Sequence, residues 1–311
     1  MKPSAIFLMG PTAAGKTAAA VALTKALPLE IISVDSAMVY REMDIGSAKP
    51  APDILKDTPH RLIDFLDPGE SYSAARFRED ALREMADICG QGKVPLLAGG
   101  SMLYFRALEH GLADMPKADV ELRAMLDERR QKEGLGALHA TLAEVDPAAA
   151  QRISVNDPQR IQRALEVFML TGKSITEHHD SRSKPPLPYR LLKLALAPAD
   201  RSRLHDRIEK RFTSMLEEGL LAEVEALYRR GDLTAAKPAV RAVGYRQLWE
   251  YLEGKTGLEE AGRRAVVATR RFAKRQLTWL RAETGVEWFD SEDPEVLTKL
   301  QHRAEEFLRL E

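Results

Sequence analysis

Four short apolar runs along the chain predict buried β-strands. They are Ala5–Met9, Ile31–Val34, Val94–Ala98 and Leu191–Leu196. The segments between the first three runs show helical patterns of apolar residues. Alternating strands and helices are typical of a parallel sheet that is covered by helices. The pattern therefore predicts an α/β fold.

Between residues 117 and 180 the pattern changes, because this stretch is charged, helix-rich and without a clear strand. The proline-rich segment Ser183–Pro188 follows it and is typical of a stiff linker. We interpret the stretch as a helical insertion: residues 1–116 and 190–311 form the core, and residues 117–189 form the insertion domain. Residues 51–70 are expected to be an ordered loop, and the chain after Asp200 is expected to be helical almost to its end.

The segment after the first predicted strand fits the phosphate-binding loop (P-loop) pattern G-x-x-x-x-G-K-[ST]. Its residues are Gly10, Pro11, Thr12, Ala13, Ala14, Gly15, Lys16 and Thr17. The glycines let the backbone turn with its N–H groups inward, where they and the following helix N-terminus attract anions. Lys16 adds a positive charge, and Thr17 can hold Mg²⁺. The loop indicates a polyphosphate ligand without saying which one.

Two further strand ends carry polar side chains. Asp35 follows the second apolar run, at the sheet edge where ligands bind in α/β folds. It can be a general base, a Mg²⁺-binding group or a turn aspartate, and its position alone leaves these three open. Ser101 follows Gly99 and Gly100 at the end of the third run, as a ligand donor or as a helix N-cap.

Composition bounds the class of protein. The 311 residues are 44% hydrophobic and 30% charged, with a net charge of −1, as in an ordinary soluble protein. The single cysteine, Cys89, cannot form an internal disulfide, which fits a reducing cytoplasm. No stretch approaches the roughly 20 apolar residues that span a bilayer. We expect a cytoplasmic protein with no membrane partner.

Positive charge concentrates in residues 241–281. This segment contains ten Lys and Arg residues and four Glu residues, which gives a local charge of +6. On a helix, Arg271, Lys274 and Arg275 share one face. Such a face can follow a nucleic-acid backbone, or it can be an ordinary solvated surface. A second, weaker patch surrounds Arg160 and Arg163.

Taken together, these segments resemble the bacterial tRNA dimethylallyltransferase (tRNA isopentenyltransferase) family over essentially the full length of the chain. The segments that carry the resemblance are Gly10–Thr17, Ser33–Tyr40, Met43–Pro50, His60–Asp64, Tyr72–Phe77, Gly99–Tyr104, Asn156–Arg160, Arg241–Arg246 and Arg271–Arg281. Ser47 and Ser101 stand where the family often has threonine, and both keep the hydroxyl group.

The resemblance implies a reaction. A dimethylallyl group moves from its diphosphate to N6 of the adenosine immediately 3′ of the tRNA anticodon. Gly10–Thr17 would then grip the leaving diphosphate, with Lys16 and a Mg²⁺ ion at Thr17 offsetting its charge. Asp35 would be the base that accepts the amine proton. The target base would have to be unstacked to reach the site.

The resemblance also implies a tRNA-binding set, an insertion domain that closes on the anticodon stem-loop, and a monomer. The implied tRNA-binding residues are Asp35, Ser36, Ala37, Met38, Ser101, Arg123, Gln159, Arg160, Ile161, Gln162, Arg163, Arg241, Ala242, Val243, Gly244, Tyr245, Arg246, Lys274, Arg275 and Arg281. Three other functions compete: an ATP-dependent small-molecule kinase, an adenylate prenyltransferase and a non-catalytic RNA-binding module.

Overall fold

A computed structural model of the protein describes residues 2–180 and 187–309, so most of the predicted linker Ser183–Pro188 lies outside the described residues. The strands are β1 (Ser4–Met9), β2 (Leu29–Val34), β3 (His60–Arg61), β4 (Val94–Gly99), β5 (Arg190–Ala197) and β6 (Val286–Asp290). The helices are α1 (Lys16–Ala26), α2 (Pro52–Asp57), α3 (Ala74–Gly90), α4 (Met102–His110), α5 (Val120–Glu133), α6 (Leu135–Val145), α7 (Pro147–Arg152), α8 (Pro158–Thr171), α9 (Ile175–Asp180), α10 (Arg201–Glu217), α11 (Leu220–Arg229), α12 (Tyr245–Leu252), α13 (Leu258–Arg281) and α14 (Val296–Arg309).

These strands form one parallel sheet in the order β3-β2-β4-β1-β5-β6. β1 lies between β4 and β5. Its last residue, Met9, pairs with Gly99 of β4 and with Ala195 of β5. All six residues of β1 are buried, which explains why its sequence is a continuous apolar run rather than an alternating one. The α/β fold with a parallel sheet and covering helices is confirmed.

The main core lies between the sheet and the helices that cover it. Side chains of β1, β2, β4 and β5 pack against α1 and α14, with Leu23 and Leu300 almost fully buried. A second cluster joins β5 to α10 and α13 through Leu204 and Leu277. Because helices pack on the sheet, the carboxyl ends of the strands are left to form the site described below.

Three elements differ from the sequence predictions. Residues 51–70 contain the short helix α2 and the two-residue strand β3, and the chain after Asp200 contains β6. β6 is an edge strand whose residues are exposed or half-buried, so it lacks the apolar run that marks the inner strands.

The chain forms two compact units, one of Met1–Leu108 with Pro188–Glu311 and one of Glu109–Leu187. The second unit contains α5 to α9, which pack around a core of their own that includes Leu126, Leu138 and Leu142. The predicted insertion covered residues 117–189. Among the described residues, no helix has the length and apolar character needed to cross a membrane.

Candidate active site

The phosphate-binding loop lies between β1 and α1 at the carboxyl edge of the sheet. Ala13 (φ 62°) and Gly15 (φ 86°) adopt left-handed backbone conformations, which curl the loop into an anion-binding nest. The loop residues 12–17 all line one cavity of about 340 Å³, called here the loop cavity. Gly10 lies beneath it, where a Cβ atom would come within 2.2 Å of the Leu196 carbonyl oxygen.

Two cations point into the loop cavity. Lys16 Nζ donates to the Pro11 carbonyl at 2.7 Å, and burial lowers its pKa from 10.5 to about 8. The carboxylate of Asp35 opposes this shift, and the charge of Arg211 on α10 adds to it. Burial also lowers the pKa of Arg211. Two cations held so close together make a site that favours a multiply charged anion.

Asp35 lies directly after β2 and is half-buried. Its Oδ1 accepts hydrogen bonds from the backbone N–H groups of Ala37, at 2.8 Å, and Met38, at 3.3 Å. Its Oδ2 has no hydrogen bond to any described residue. One oxygen therefore fixes the turn and the carboxylate's orientation, while the other is available to accept a proton. The turn and base interpretations of Asp35 are compatible.

A second cavity of about 350 Å³, called here the helix cavity, adjoins the first. Both are lined by Thr12, Ala13, Asp35, Ser47, Arg211 and Phe272. The helix cavity is also lined by Ser36, Ala37, Arg241, Ala242, Val243, Gly244 and Arg275, all from the predicted tRNA-binding set. Asp35 is thus one of the residues shared by two ligand-sized cavities.

Gln276 on α13 joins the two sides of the loop cavity. Its Oε1 accepts from the Thr12 backbone N–H at 2.9 Å, and its Nε2 donates to the Gly100 carbonyl at 2.9 Å. A Cβ atom on Gly100 would come within 2.3 Å of that Nε2, so glycine is required for the contact. Gln276 is buried, and it fixes the phosphate-binding loop against the end of β4.

The loop of residues 44–47 is held on the other side of the helix cavity by a single carboxylate. Glu223 on α11 accepts backbone N–H bonds from Asp44, Ile45 and Gly46 at 2.8, 2.8 and 3.1 Å. The buried Tyr245 hydroxyl donates to the same carboxylate at 2.6 Å and accepts from the Ser47 N–H at 3.1 Å. Tyr245, predicted to bind tRNA, therefore has its hydroxyl committed to this loop.

A divalent cation would find suitable ligands beside the loop. The Thr17 hydroxyl lines the loop cavity and makes no hydrogen bond to any described residue, so it is free to ligate. Hydroxyl and phosphate oxygens are the hard donors that Mg²⁺ prefers. The residues present therefore fit a Mg²⁺ ion at Thr17.

About half of the basic cluster in residues 241–281 is neutralised by neighbouring acids. Ion pairs join Arg246 and Arg264 to Glu250, Lys255 to Glu253, Arg263 to Glu260 and Arg270 to Glu209. Four exposed cations of α13 have no ion pair within the described part of the chain. These residues, called here the basic stripe, are Arg271, Lys274, Arg275 and Arg281.

Within the second unit, the predicted tRNA-binding residues divide into two groups. Gln159 and Arg160 are exposed, whereas Ile161 is buried in the unit's core and its side chain cannot form a contact surface. Arg123 and Arg163 both pair with the fully buried Glu166, at 2.8 and 2.6 Å. Gln162 donates to the Arg123 carbonyl.

Ser101, Met38, Lys274 and Arg281 do not line the helix cavity. Met38 lines the loop cavity, and Ser101 begins the turn after Gly100. No sequence pattern points to four residues of the site: Arg211, Gln276, Glu223 and Phe272. Only their long-range contacts identify them, because each lies inside a helix with an ordinary amphipathic pattern.

Comparison with known proteins gives a consistent result. A family model described as IPP transferase matches residues 38–283. A tRNA dimethylallyltransferase of Thioalkalivibrio sulfidiphilus is 60% identical over 292 residues, covering 94% of this chain and 91% of that protein. The crystal structure of the tRNA isopentenylpyrophosphate transferase of Bacillus halodurans is similar with a TM-score of 0.73 and 38% identity, covering 99% and 97% of the two chains. A eukaryotic dimethylallyltransferase acting on tRNA matches with a TM-score of 0.82 and 25% identity, covering 99% of this chain and 80% of that one.

Proposed function

Because the chain belongs to the IPP transferase family and is a prenyltransferase that modifies tRNA, we propose which substrates its two cavities hold. The donor is dimethylallyl diphosphate, bound in the loop cavity. The acceptor is N6 of the adenosine immediately 3′ of the anticodon, bound in the helix cavity. The observation that carries this proposal is that Asp35, which has one carboxylate oxygen without a hydrogen bond to any described residue, lines both cavities.

The loop cavity suits the diphosphate. The loop nest supplies backbone donors, and Lys16 and Arg211 supply two positive charges. These charges stabilise the leaving group most when its C–O bond breaks, because negative charge then accumulates on the diphosphate. A Mg²⁺ ion held by Thr17 and diphosphate oxygens would add Lewis-acid stabilisation of the same charge.

Asp35 supplies the proton acceptor. The N6 lone pair of adenine is delocalised into its ring, so the amine is a poor nucleophile until its proton is removed. We assign this step to Asp35 Oδ2: nitrogen forms a bond to C1, the C1–O bond electrons leave with the diphosphate, and the N6 proton moves to the carboxylate. The two bonds that Oδ1 accepts hold the base in place. Phe272 lines both cavities, so its ring would be an apolar wall beside the reacting carbon.

A transfer assay tests this function. Unmodified tRNA, AMP and ATP are each incubated with the protein, Mg²⁺ and labelled dimethylallyl diphosphate. Label in tRNA alone supports the proposal. Label in AMP would instead indicate an adenylate prenyltransferase, and ATP consumption without labelling would indicate a kinase.

Two lysine variants separate chemistry from binding in this assay. Lys16→Ala should abolish transfer while tRNA affinity stays within about threefold, because Lys16 faces the diphosphate. Lys25→Ala, at the exposed end of the same helix, is the matched control and should retain activity. If Lys16→Ala lost tRNA binding as well, the assignment of the loop cavity to the donor would be wrong.

A further inference from the structure

A third cavity in the first unit lies at the carboxyl ends of β5 and β6. Its volume is about 360 Å³, and we call it the β6 cavity. It shares no lining residue with the loop cavity or the helix cavity. Its walls include the apolar side chains of Leu204 and Leu277 and the ring of Trp288. The reaction proposed above does not use it.

Trp288 is unusual because 46% of its surface is exposed. Side chains alternate along a strand, and the neighbouring Phe289 packs into the core beside α14. Trp288 therefore lies on the opposite face of the sheet, which α10 and α13 cover. The indole forms an open wall of the β6 cavity. A large exposed aromatic side chain beside a cavity is a feature of ligand-binding surfaces.

Two guanidinium groups border the same cavity. Arg201 lies in the first turn of α10, and Arg281 is the last residue of α13. Neither forms an ion pair with an acid of the described ranges, whereas nearby Arg207 pairs with Glu292. The cavity's one carboxylate, Asp290, accepts backbone N–H bonds from Ala199 and Glu292, which partly offset its charge. The lining therefore carries two positive charges and one negative charge, and the negative charge already accepts two backbone hydrogen bonds.

The β6 cavity continues the basic stripe of α13. Lys274 and Arg281 are seven residues apart and lie on the same helix face. Arg275 lines the helix cavity and Arg281 lines the β6 cavity. Six residues of α-helix separate them by about 9 Å along the axis. That distance corresponds to roughly three stacked nucleotides at about 3.4 Å each.

From this arrangement we infer that the β6 cavity binds an unpaired nucleotide of the RNA substrate, with its base stacked on Trp288 and its phosphates beside Arg201 and Arg281. An aromatic platform flanked by arginines is the chemistry by which proteins hold single-stranded RNA. This inference rests on the proposed function, since it assumes that the target adenosine occupies the helix cavity. It adds a second contact point a few nucleotides away.

RNA binding without the prenyl donor tests the inference. Trp288→Ala should weaken the affinity for unmodified anticodon stem-loop RNA by about 5- to 150-fold, the loss typical of one stacked base. Trp288→Phe keeps a ring and should stay within about threefold of the unchanged protein. Leu297→Ala removes a side chain of similar exposure on α14 and is the matched control, expected to bind normally.

Tryptophan fluorescence gives a second readout that does not depend on the stability of the alanine variant. Trp249 is buried and Trp279 lies beneath the guanidinium of Arg106, so Trp288 is the most exposed of the three indoles. Stem-loop RNA should quench emission in the unchanged protein, and the quenching should be largely lost in Trp288→Phe. A fully paired RNA duplex of equal length should produce little of this quenching, because its bases are not free to stack.

The possible outcomes distinguish this inference from the proposed function. If Trp288→Ala binds the stem-loop normally while Lys274→Ala weakens it, the β6 cavity does not hold RNA and the transfer assignment is unaffected. If RNA binds but leaves Trp288 emission unchanged, the inference is likewise wrong. If the unchanged protein does not bind the stem-loop, both proposals fail.

Discussion

The protonation of Lys16 should control the binding of the diphosphate donor above neutral pH. Burial lowers the pKa of this lysine to about 8 in the free protein. At pH 7 roughly nine-tenths of the molecules would carry the charge, and at pH 9 only about one-tenth. Only the protonated form can balance the diphosphate, so kcat/KM for the donor should fall about tenfold between pH 7 and pH 9. This corresponds to about 1.4 kcal/mol.

The direction of this pH dependence follows from the ionisation of Lys16 and of the diphosphate. The phosphate groups of a diphosphate ester titrate near pH 6 and are about nine-tenths ionised at pH 7 and more so above it, so a loss of binding with rising pH reports the protein. The pH dependence of kcat/KM for the donor reports groups of the protein form that binds the donor, and Lys16 is one of them. Steady-state transfer to a saturating amount of tRNA, with the donor varied at half-unit intervals of pH, gives the profile.

Lys16→Arg is the matched variant, because a guanidinium stays charged throughout this range. Its activity should be lower at every pH, since a lysine at this position fits the loop, but the decline centred near pH 8 should disappear. Calorimetry adds an independent check. Binding of dimethylallyl diphosphate without tRNA at pH 8.5 should take up about three-quarters of a proton in the unchanged protein, as the bound anion restores the charge of Lys16.

Two results would refute this reasoning. A flat kcat/KM profile from pH 7 to pH 9 would mean that Lys16 does not titrate there. An identical decline in Lys16→Arg would mean that another group controls it.

Four further predictions concern other parts of the molecule. Asp35→Asn should lower the transfer rate by about 10²- to 10⁴-fold in single-turnover kinetics, with tRNA affinity nearly unchanged, because it removes the base but keeps the shape; retention of a normal rate would exclude Asp35 as the base. Chelation of Mg²⁺ should abolish transfer but spare RNA binding, and added Mg²⁺ should restore it; full activity in excess chelator would exclude the metal at Thr17. Tyr245→Phe should lower the free energy of unfolding in urea by about 2–3 kcal/mol, because Glu223 and the Ser47 N–H both lose a partner; a change below about 0.5 kcal/mol would show that the loop has other support. Glu166→Gln should cost about 2 kcal/mol in the same assay, less than a wholly buried pair, because Arg123 and Arg163 can reach water; an unchanged midpoint would contradict a structural role for this pairing.

The sequence predicted the inner strands because buried parallel strands are continuous apolar runs, as β1 and β2 are. β6 escaped prediction for the opposite reason. It lies at the edge of the sheet, and its two adjacent aromatic residues stand between two acids, so it has no continuous apolar run. The short elements α2 and β3 carry too few residues to show any period.

The site divides in the same way. Gly10–Thr17 and Asp35 could be predicted because each belongs to a pattern of neighbouring residues. The first is a glycine-containing loop after a strand, and the second is a carboxylate at a strand end. Arg211 and Gln276 could not, because nothing near them in sequence marks them. Gln276 meets Thr12 across 264 positions of the chain, so only the folded structure brings its function into view.

Helix α13 contributes to both ligand sites at once. Its buried side carries Gln276, which holds the phosphate-binding loop, and its exposed side carries the basic stripe. One helix therefore sets the distance between the phosphate-binding loop and the surface that we propose binds RNA. Any rotation or translation of α13 would displace residues of both sites at once. The position of α13 therefore fixes the distance between the two sites. A substitution that tilts this helix should alter the binding of both substrates and not of one alone.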